Sequence, residues 1–86
     1  MREQADVFVC LPGSYGTLDE MMDVISSAIV GEHRKPMLIL NHDDFYGPLQ
    51  SQIAHMRSLQ FIPAQEHYTP IFVQSLDELL SRLTTL

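Results

Sequence analysis

The chain has 86 residues, 45% of them hydrophobic, so we expect one small globular domain. Eleven acidic residues against five basic ones give a net charge of −6, which argues against nucleic-acid binding, because phosphates are neutralised by lysine and arginine. One cysteine excludes a disulfide framework. The sequence has no signal-peptide pattern and no apolar run of membrane-spanning length, so we expect a cytoplasmic protein without membrane contact.

The first predicted unit is a strand followed by a helix. Residues 7–11 form a short continuous apolar run, which is typical of a strand buried on both faces of a parallel sheet. After the turn-rich residues 12–16, apolar residues recur at the spacing of one helix face, and Gly31 is a suitable C-terminal stop. That predicted apolar face comprises Leu18, Met21, Met22, Ile25 and Ile29.

Two further strand-helix units follow. The second and third predicted strands are Met37–Leu40 and Ile71–Val73. Gly47-Pro48 suits a helix start, and Ser75-Leu76-Asp77-Glu78 matches a capping box before the last helix. Alternating strands and helices predict an α/β fold with a three-layer parallel sheet and right-handed crossovers, and three units correspond to half of a doubly wound fold. We therefore predict a single half-domain over residues 1–86, in the order β-α-β-α-β-α.

The turn between the first strand and its helix has the features of an anion-binding site. The N–H groups in the first turn of a helix lack intrahelical partners, and the helix dipole favours negative charge there. Gly13 and Gly16 allow a sharp turn and a close approach of the backbone to a ligand. Open α/β sheets bind ligands at the carboxyl ends of their strands, where this segment lies. The candidate phosphate-binding residues are Gly13, Ser14, Tyr15, Gly16 and Thr17.

Glu20 has a structural and a functional interpretation. As a structural residue it completes a capping box, in which Thr17 is the N-cap and the Glu20 carboxylate accepts a hydrogen bond from the Thr17 N–H. As a functional residue it places a carboxylate about one helical turn, roughly 5 Å, beyond a phosphate bound at the helix start. Spacing alone favours the structural interpretation, because capping boxes are common.

The same segment, residues 11–20, resembles the PGGxGTxxE signature of the LOG (Lonely Guy) family. The resemblance extends over nearly the whole chain and includes Ala5-Asp6-Val7-Phe8, residues 31–36, the strand ending in Asn41, Asp44-Phe45-Tyr46 and Gln60-Phe61-Ile62. It implies the C-terminal half of a Rossmann-like fold that forms homodimers or larger homo-oligomers. It also implies hydrolysis of the N-glycosidic bond of nucleoside 5′-monophosphates, cytokinin precursors among them, to a free base and ribose 5-phosphate, without a cofactor or metal ion.

The resemblance also implies roles for single residues. In the family, the glutamate that matches Glu20 is catalytic, and the residues that match Gly13, Gly16 and Thr17 hold the 5′-phosphate. A carboxylate suits this reaction, because positive charge builds on the ribose as the bond breaks and a carboxylate can stabilise that charge or activate water. With the resemblance counted, the functional interpretation of Glu20 is favoured.

Two departures from the family pattern leave alternatives open. Ser14 stands where the family has its second glycine, and serine tolerates a positive φ poorly, although its hydroxyl can donate to a phosphate. The family's catalytic arginine belongs to an Arg-Lys pair upstream of the Ala-Asp that matches Ala5-Asp6, and Arg2 does not occupy that position. Three functions therefore remain: a phosphoribohydrolase, a non-catalytic module that binds a phosphate ligand such as a nucleotide or the molybdenum cofactor, and an oligomeric remnant.

Several other residues have a structural and a functional interpretation. The four histidines lack metal-ligand spacing and suit surface or structural positions, and Cys10 suits the core. Proteins of this type are often labelled lysine decarboxylases, but the single lysine, Lys35, has no context for a Schiff base with pyridoxal phosphate. Asp43, Asp44 and Tyr46 either line the pocket or form a turn. The Met- and Ile-rich face of the first helix suits either the core or a dimer interface.

Overall fold

A computed structural model describes residues 7–85 of the chain. Strands and helices alternate throughout this part, which confirms the predicted α/β fold. The strands are β1 (Phe8–Cys10), β2 (Met37–Leu40) and β3 (Ile71–Val73), and the helices are α1 (Tyr15–Ile29), α2 (Gly47–Ser58) and α3 (Leu76–Thr85). Arg2 and Ala5-Asp6, which enter the comparison with the LOG pattern, lie outside the described residues.

The described strands form one parallel sheet in the order β1-β2-β3, so each crossover connects neighbouring strands. Val9 pairs with Leu38, and Ile39 pairs with Phe72. Met37, Leu38 and Ile39 on the central strand β2 are each at most 1% exposed. Burial on both faces explains why this strand is a continuous apolar run and not an alternating one.

Helices cover both faces of the sheet and give the predicted three layers. On the face covered by α1 and α2, the core comprises Met21, Val24, Met37, Ile39 and Tyr46, with partly buried Phe8, Cys10, Ile25, Leu49 and Phe72. On the face covered by α3, the core comprises Leu38, Val73 and Leu79, with partly buried Val7, Leu40, Ile71 and Leu83. Successive residues of β2 and β3 therefore belong to opposite cores, as the pleat requires.

The predicted apolar face of α1, for which the core and a dimer interface were both open, is only partly buried. The buried residues of α1 are Met21, Val24, Ser27 and Ala28. Of the predicted apolar face, Met21 is buried, whereas Leu18, Met22 and Ile29 are 36%, 40% and 50% exposed. The buried stripe of α1 runs through the small residues Ser27 and Ala28, and the larger aliphatic side chains of Leu18, Met22 and Ile29 are more exposed.

The capping box predicted at the start of α3 is confirmed for its bond to Ser75, whereas the Glu78 carboxylate accepts from Gln74, the residue before the N-cap. The N–H of Glu78 donates to the Ser75 hydroxyl oxygen at 3.1 Å, and the N–H of Gln74 donates to the Glu78 carboxylate at 2.8 Å. Two backbone donors that the helix cannot satisfy are thereby paired. This local signal fixes where α3 begins.

Gly31 ends α1, as predicted. Its φ is +89°, in the left-handed region. The N–H groups of Gly31 and Glu32 donate to the carbonyls of Ala28 and Ser27 at 3.1 and 2.9 Å. This is the Schellman pattern, in which a left-handed residue lets the chain satisfy the last helical carbonyls.

Gly31→Ala is expected to lower the free energy of unfolding by about 1 kcal/mol, because a side chain is strained at this φ. A urea titration measures the change. No atom lies within 4 Å of the added Cβ, so a loss reports backbone strain and not a clash. Gly31→Asn is the control and should lose less, since asparagine enters the left-handed region more readily. An alanine variant as stable as the parent would contradict the prediction.

The amino-terminal ends of the strands are joined around His33. The His33 Nδ1 atom accepts the N–H of Lys35 at 3.0 Å, so Nε2 is the atom that donates to the Val24 carbonyl at 3.0 Å. The ring packs between Phe8 and Tyr68, with centroid distances of 5.4 and 5.9 Å. The Tyr68 phenol donates to the Lys35 carbonyl at 2.9 Å. His33 therefore has the structural role that its sequence context predicted.

Candidate functional site

The candidate loop, residues 11–14, connects the carboxyl end of β1 to the amino end of α1. The first helical hydrogen bond runs from the Leu18 N–H to the Ser14 carbonyl at 3.1 Å. Ser14 occupies the N-cap position, but its hydroxyl makes no capping hydrogen bond. The N–H groups of residues 15–17 therefore lack an intrahelical or capping partner in the described chain. Such a helix end is suited to an anion.

Ser14 takes the place of the family's glycine without backbone strain. Its φ of −123° and ψ of −153° are extended values that any residue adopts. The residue is exposed and its hydroxyl is not used as a cap, so the hydroxyl remains open to a ligand. Tyr15 is 87% exposed, and its ring therefore makes little contact with the rest of the described chain.

Gly13 lies too close to Thr17 to carry a side chain. A Cβ atom built on Gly13 would overlap the Thr17 hydroxyl oxygen and would lie 2.8 Å from the Thr17 Cβ. Gly16, by contrast, has open space where its Cβ would stand. Close packing of the loop against the first turn of α1 therefore requires glycine at position 13. At position 16 the glycine leaves a bare surface beside the open N–H groups.

Glu20 does not belong to a capping box. Because α1 begins at Tyr15 and not after Thr17, Glu20 lies in the second turn of the helix, where it is exposed. The structural interpretation of Glu20 is therefore wrong. Burial and, after it, the negative charge of Glu20 raise the pKa of the Cys10 thiol. Glu20 lies on α1, in the turn that follows the first turn of the helix.

Glu20→Gln is expected to increase the rate at which Cys10 is alkylated at about pH 8. Removing the negative charge lowers the pKa of the thiol, so a larger fraction is the reactive thiolate. Labelling with iodoacetamide as a function of pH measures the shift, and Asp19→Asn removes a neighbouring exposed charge as the control. Superimposable profiles for the parent and the Glu20 variant would mean that the carboxylate lies far from Cys10.

The segment after β2 makes a buried polar connection that the sequence analysis missed. Asn41 is 2% exposed, and its Oδ1 atom accepts the N–H of Tyr46 at 2.6 Å. Tyr46 is 3% exposed, and its phenol donates to the Leu11 carbonyl at 2.7 Å. Tyr46 therefore belongs to the core and holds the candidate loop. The available signal was a tyrosine shortly after a buried strand, because a buried phenol needs a hydrogen-bond partner.

Asp43 and Asp44 form a turn. Their φ values are 53° and 59°, in the left-handed region, which aspartate tolerates better than most residues. Both residues are exposed, and the Asp44 Oδ1 atom accepts the Asn41 side-chain N–H at 3.5 Å. Of the two alternatives for these residues, the structure supports the turn. The turn brings Tyr46 back over the end of β1.

An apolar groove of about 270 Å³ separates α1 from α2. Its aliphatic lining includes Met22, Ile25, Ile29, Ile53, Met56 and Ile62. Arg57, which also lines the groove, donates from Nη1 to the Glu66 carbonyl at 3.1 Å. The groove therefore receives the aliphatic side chains of α1 that do not reach the sheet.

The structure brings the candidate residues together at one place. Residues 13–17 and Glu20 occupy the loop after β1 and the first two turns of α1, and all are exposed except the half-buried Thr17. Lys35 lies at the opposite edge of the sheet, before β2. Within residues 7–85, no group of three or more His, Cys, Asp or Glu side chains is placed to hold a metal ion. No helix in that range is long and apolar enough to cross a membrane.

Comparison with known proteins finds relatives along almost the whole chain. A family model described as possible lysine decarboxylase matches residues 1–83. The chain is 41% identical over 83 residues to the cytokinin riboside 5′-monophosphate phosphoribohydrolase LOG of Oryza sativa subsp. japonica, a match covering 96% of this chain and 34% of that protein. It is 36% identical over 83 residues to the enzyme of the same name, LOG1, of Arabidopsis thaliana, covering 96% and 39%. The chain spans about a third of the length of these relatives.

Proposed function

The chain belongs to the LOG-type family, whose model is described as possible lysine decarboxylase, and from this membership we propose that it hydrolyses the N-glycosidic bond of nucleoside 5′-monophosphates. The products are a free base and ribose 5-phosphate. The proposal extends to cytokinin riboside 5′-monophosphates, because the names of two related plant enzymes specify that substrate. The proposed site consists of the candidate loop, the first turn of α1 and Glu20.

The observation that carries the proposal is the open first turn of α1, with Glu20 one turn further along the helix. The net charge of −6 repels a phosphate at long range, so local backbone dipoles must hold it. The unpaired N–H groups of residues 15–17 supply those dipoles, and the hydroxyls of Ser14 and Thr17 lie beside them. A 5′-phosphate bound there directs the ribose along the helix towards Glu20.

The proposed reaction needs a negative group beside the ribose and an activated water. As the bond between C1′ and the base nitrogen breaks, its electron pair leaves with the base and positive charge builds on the ribose ring. The Glu20 carboxylate stabilises that charge or accepts a proton from the water that attacks C1′. The base leaves with a proton, and the water oxygen remains on ribose 5-phosphate as the C1 hydroxyl.

Decarboxylation of lysine, as in the description of the family, is a poorer match to the described residues. That chemistry uses a lysine Schiff base with pyridoxal phosphate. The single lysine, Lys35, precedes β2 at its amino end, whereas the candidate loop lies at the carboxyl end of β1. The proposed hydrolysis uses a carboxylate and an anion site, and the exposed Glu20 and the open N–H groups of residues 15–17 support it.

We propose further that the protein acts as a homodimer or a larger homo-oligomer in the cytoplasm. The apolar groove between α1 and α2 supports self-association, because a second copy would cover its aliphatic lining. Cys10 is an unpaired, half-buried thiol, which suits a reducing compartment. Sedimentation velocity of the purified chain over a range of concentrations tests the assembly.

The direct test of the proposed function follows release of free base from adenosine 5′-monophosphate and from isopentenyladenosine 5′-monophosphate. The purified chain is incubated with each compound, and the base is separated chromatographically. The unphosphorylated nucleosides serve as matched substrates, because they lack only the group that the helix end is proposed to hold. We expect release from the monophosphates and far slower release from the nucleosides.

The other outcomes identify the alternatives. A folded chain that binds the monophosphate without releasing base would be a binding module for phosphate ligands. A chain that neither binds nor hydrolyses, and that aggregates as a monomer, would be an oligomeric remnant. Equal rates with phosphorylated and unphosphorylated substrates would contradict the proposed role of the helix end.

A further inference from the structure

A single side chain ties the candidate loop to the rest of the described fold. Among residues 7–85, the hydrogen bond from the Tyr46 phenol to the Leu11 carbonyl is the one that joins a side chain to residues 11–14. The Ser14 carbonyl is occupied by the helix, and the Ser14 hydroxyl makes no cap. Residues 11–14 are all exposed, and the close approach of Gly13 to the Thr17 side chain joins the loop to α1, not to the neighbouring strand. The position of the loop therefore depends strongly on Tyr46.

Tyr46 is itself held firmly. It is 3% exposed, its N–H is bonded to the Asn41 side chain at 2.6 Å, and its ring contacts Phe45 edge-on at a centroid distance of 4.9 Å. Burial and, after it, the nearby Cys10 raise the pKa of the Tyr46 phenol, so at neutral pH it remains a donor. The Leu11 carbonyl thus has a fixed partner anchored in the core.

Fixing Leu11 matters because it stands where β1 ends and the loop begins. An anion site built from backbone N–H groups binds well only when those groups are already arranged before the ligand arrives. A loop that must be ordered on binding loses affinity through conformational entropy. The Tyr46 phenol holds the loop in place before a ligand binds. Tyr46 belongs to the segment that follows β2, the strand next to β1.

We infer that Tyr46 is a positioning residue for the anion site: its phenol, bonded to the Leu11 carbonyl, holds residues 11–14 in the arrangement that a phosphate ester requires. The inference deepens the proposed function and rests on it for the identity of the ligand. The effect of Tyr46 on the order of residues 11–14, however, is measurable without any ligand.

The experiment compares the parent chain with Tyr46→Phe and Tyr68→Phe. Both tyrosines donate to a main-chain carbonyl, at 2.7 Å from Tyr46 and 2.9 Å from Tyr68, but Tyr68 bonds to Lys35 at the opposite edge of the sheet. Each variant keeps the ring and removes one phenol. Backbone order parameters from ¹⁵N relaxation of Gly13 and Ser14 report loop order, and titration with adenosine 5′-monophosphate reports affinity. Circular dichroism confirms that each variant is folded at the temperature used.

For Tyr46→Phe we expect the order parameters of Gly13 and Ser14 to fall from about 0.85 to below about 0.6, and affinity to fall about tenfold. For Tyr68→Phe we expect no change in loop order and an affinity within about twofold of the parent. Unchanged order at residues 13 and 14 in Tyr46→Phe, or equal effects in both variants, would overturn the inference. If the loop responds as expected while the parent binds no nucleotide, the positioning role stands and the proposed function fails.

Discussion

Replacing Glu20 with glutamine is expected to slow base release from adenosine 5′-monophosphate by about a hundredfold to a thousandfold. Glutamine has nearly the same size but carries no charge, so it can neither stabilise a positive ribose nor accept a proton from water. Glu20 is exposed and makes no capping bond, so the free energy of unfolding should change by less than about 0.5 kcal/mol. Steady-state kinetics should show the loss in kcat with little change in KM, as for an interaction made in the transition state.

Asp19→Asn is the matched control for this result. Asp19 is the exposed carboxylate next to Glu20 on the same helix, and its replacement removes the same charge from the same neighbourhood. Adjacent residues of a helix point about 100° apart, so the control alters the net charge without removing the group at the proposed site. An unchanged rate in Glu20→Gln, or an equal loss in both variants, would rule out the proposed role of the Glu20 carboxylate.

Gly13→Ala is expected to lower the free energy of unfolding by about 1–3 kcal/mol and to weaken phosphate-ester binding. The new methyl group would overlap the Thr17 hydroxyl oxygen and would stand 2.8 Å from the Thr17 Cβ. The threonine side chain is short and branched, so the loop or the first turn of α1 must move to relieve the overlap. Either movement displaces the N–H groups of residues 15–17. Thermal unfolding and titration with ribose 5-phosphate measure the two effects.

Gly16→Ala separates this clash from a general effect of alanine in the motif. Gly16 is also glycine and lies three residues away, but its added Cβ meets no atom within 4 Å. It lies inside α1, where alanine is the better helix former, so this variant should be more stable than the parent by about 0.5–1 kcal/mol. A Gly13 variant that is as stable as the Gly16 variant would show that the loop does not pack on Thr17.

The features that were predictable from the sequence depend on local patterns. The apolar run Met37–Leu40 indicated a strand covered on both faces, and β2 is the central strand of the described sheet. The capping box at residues 75–78 and the glycine at position 31 marked helix ends through their own hydrogen-bonding chemistry. The candidate loop was predicted from a local pattern too, because Gly13 and Gly16 lie between the first predicted strand and the predicted helix.

The features that were missed depend on contacts distant in sequence or on competing local signals. Ser14 and Thr17 are both good N-cap residues, and spacing favoured Thr17 because Glu20 follows three residues later. The helix begins at Tyr15 instead, so Glu20 lies in its second turn, where it is exposed. The bond between Tyr46 and Leu11 joins residues 35 positions apart, and no periodicity in the sequence reports such a pair.

The same kind of limit applies to the apolar face of α1, for which the sequence left the core and a dimer interface open. The spacing of Leu18, Met22 and Ile29 identifies a helix, but α1 has more apolar surface than the sheet covers. The buried part of α1 includes the small residues Ser27 and Ala28, which a search for large apolar side chains passes over. Met22 and Ile29 line the groove beside α2, a surface that only the assembled layer reveals.

The two phenol-carbonyl bonds also bear on how the chain folds. Tyr46 reaches back 35 residues to Leu11, and Tyr68 reaches back 33 residues to Lys35, so each bond closes one strand-helix unit. Because the entropy of closing a loop grows only with the logarithm of its length, the two closures cost nearly the same. The two closures differ in how much free energy burial contributes. Tyr46 is buried and Tyr68 is half-buried, so closing the first unit gains more free energy from burial. We expect the folding nucleus to form around β1, α1 and β2, with the candidate loop already tied to its anchor before β3 docks.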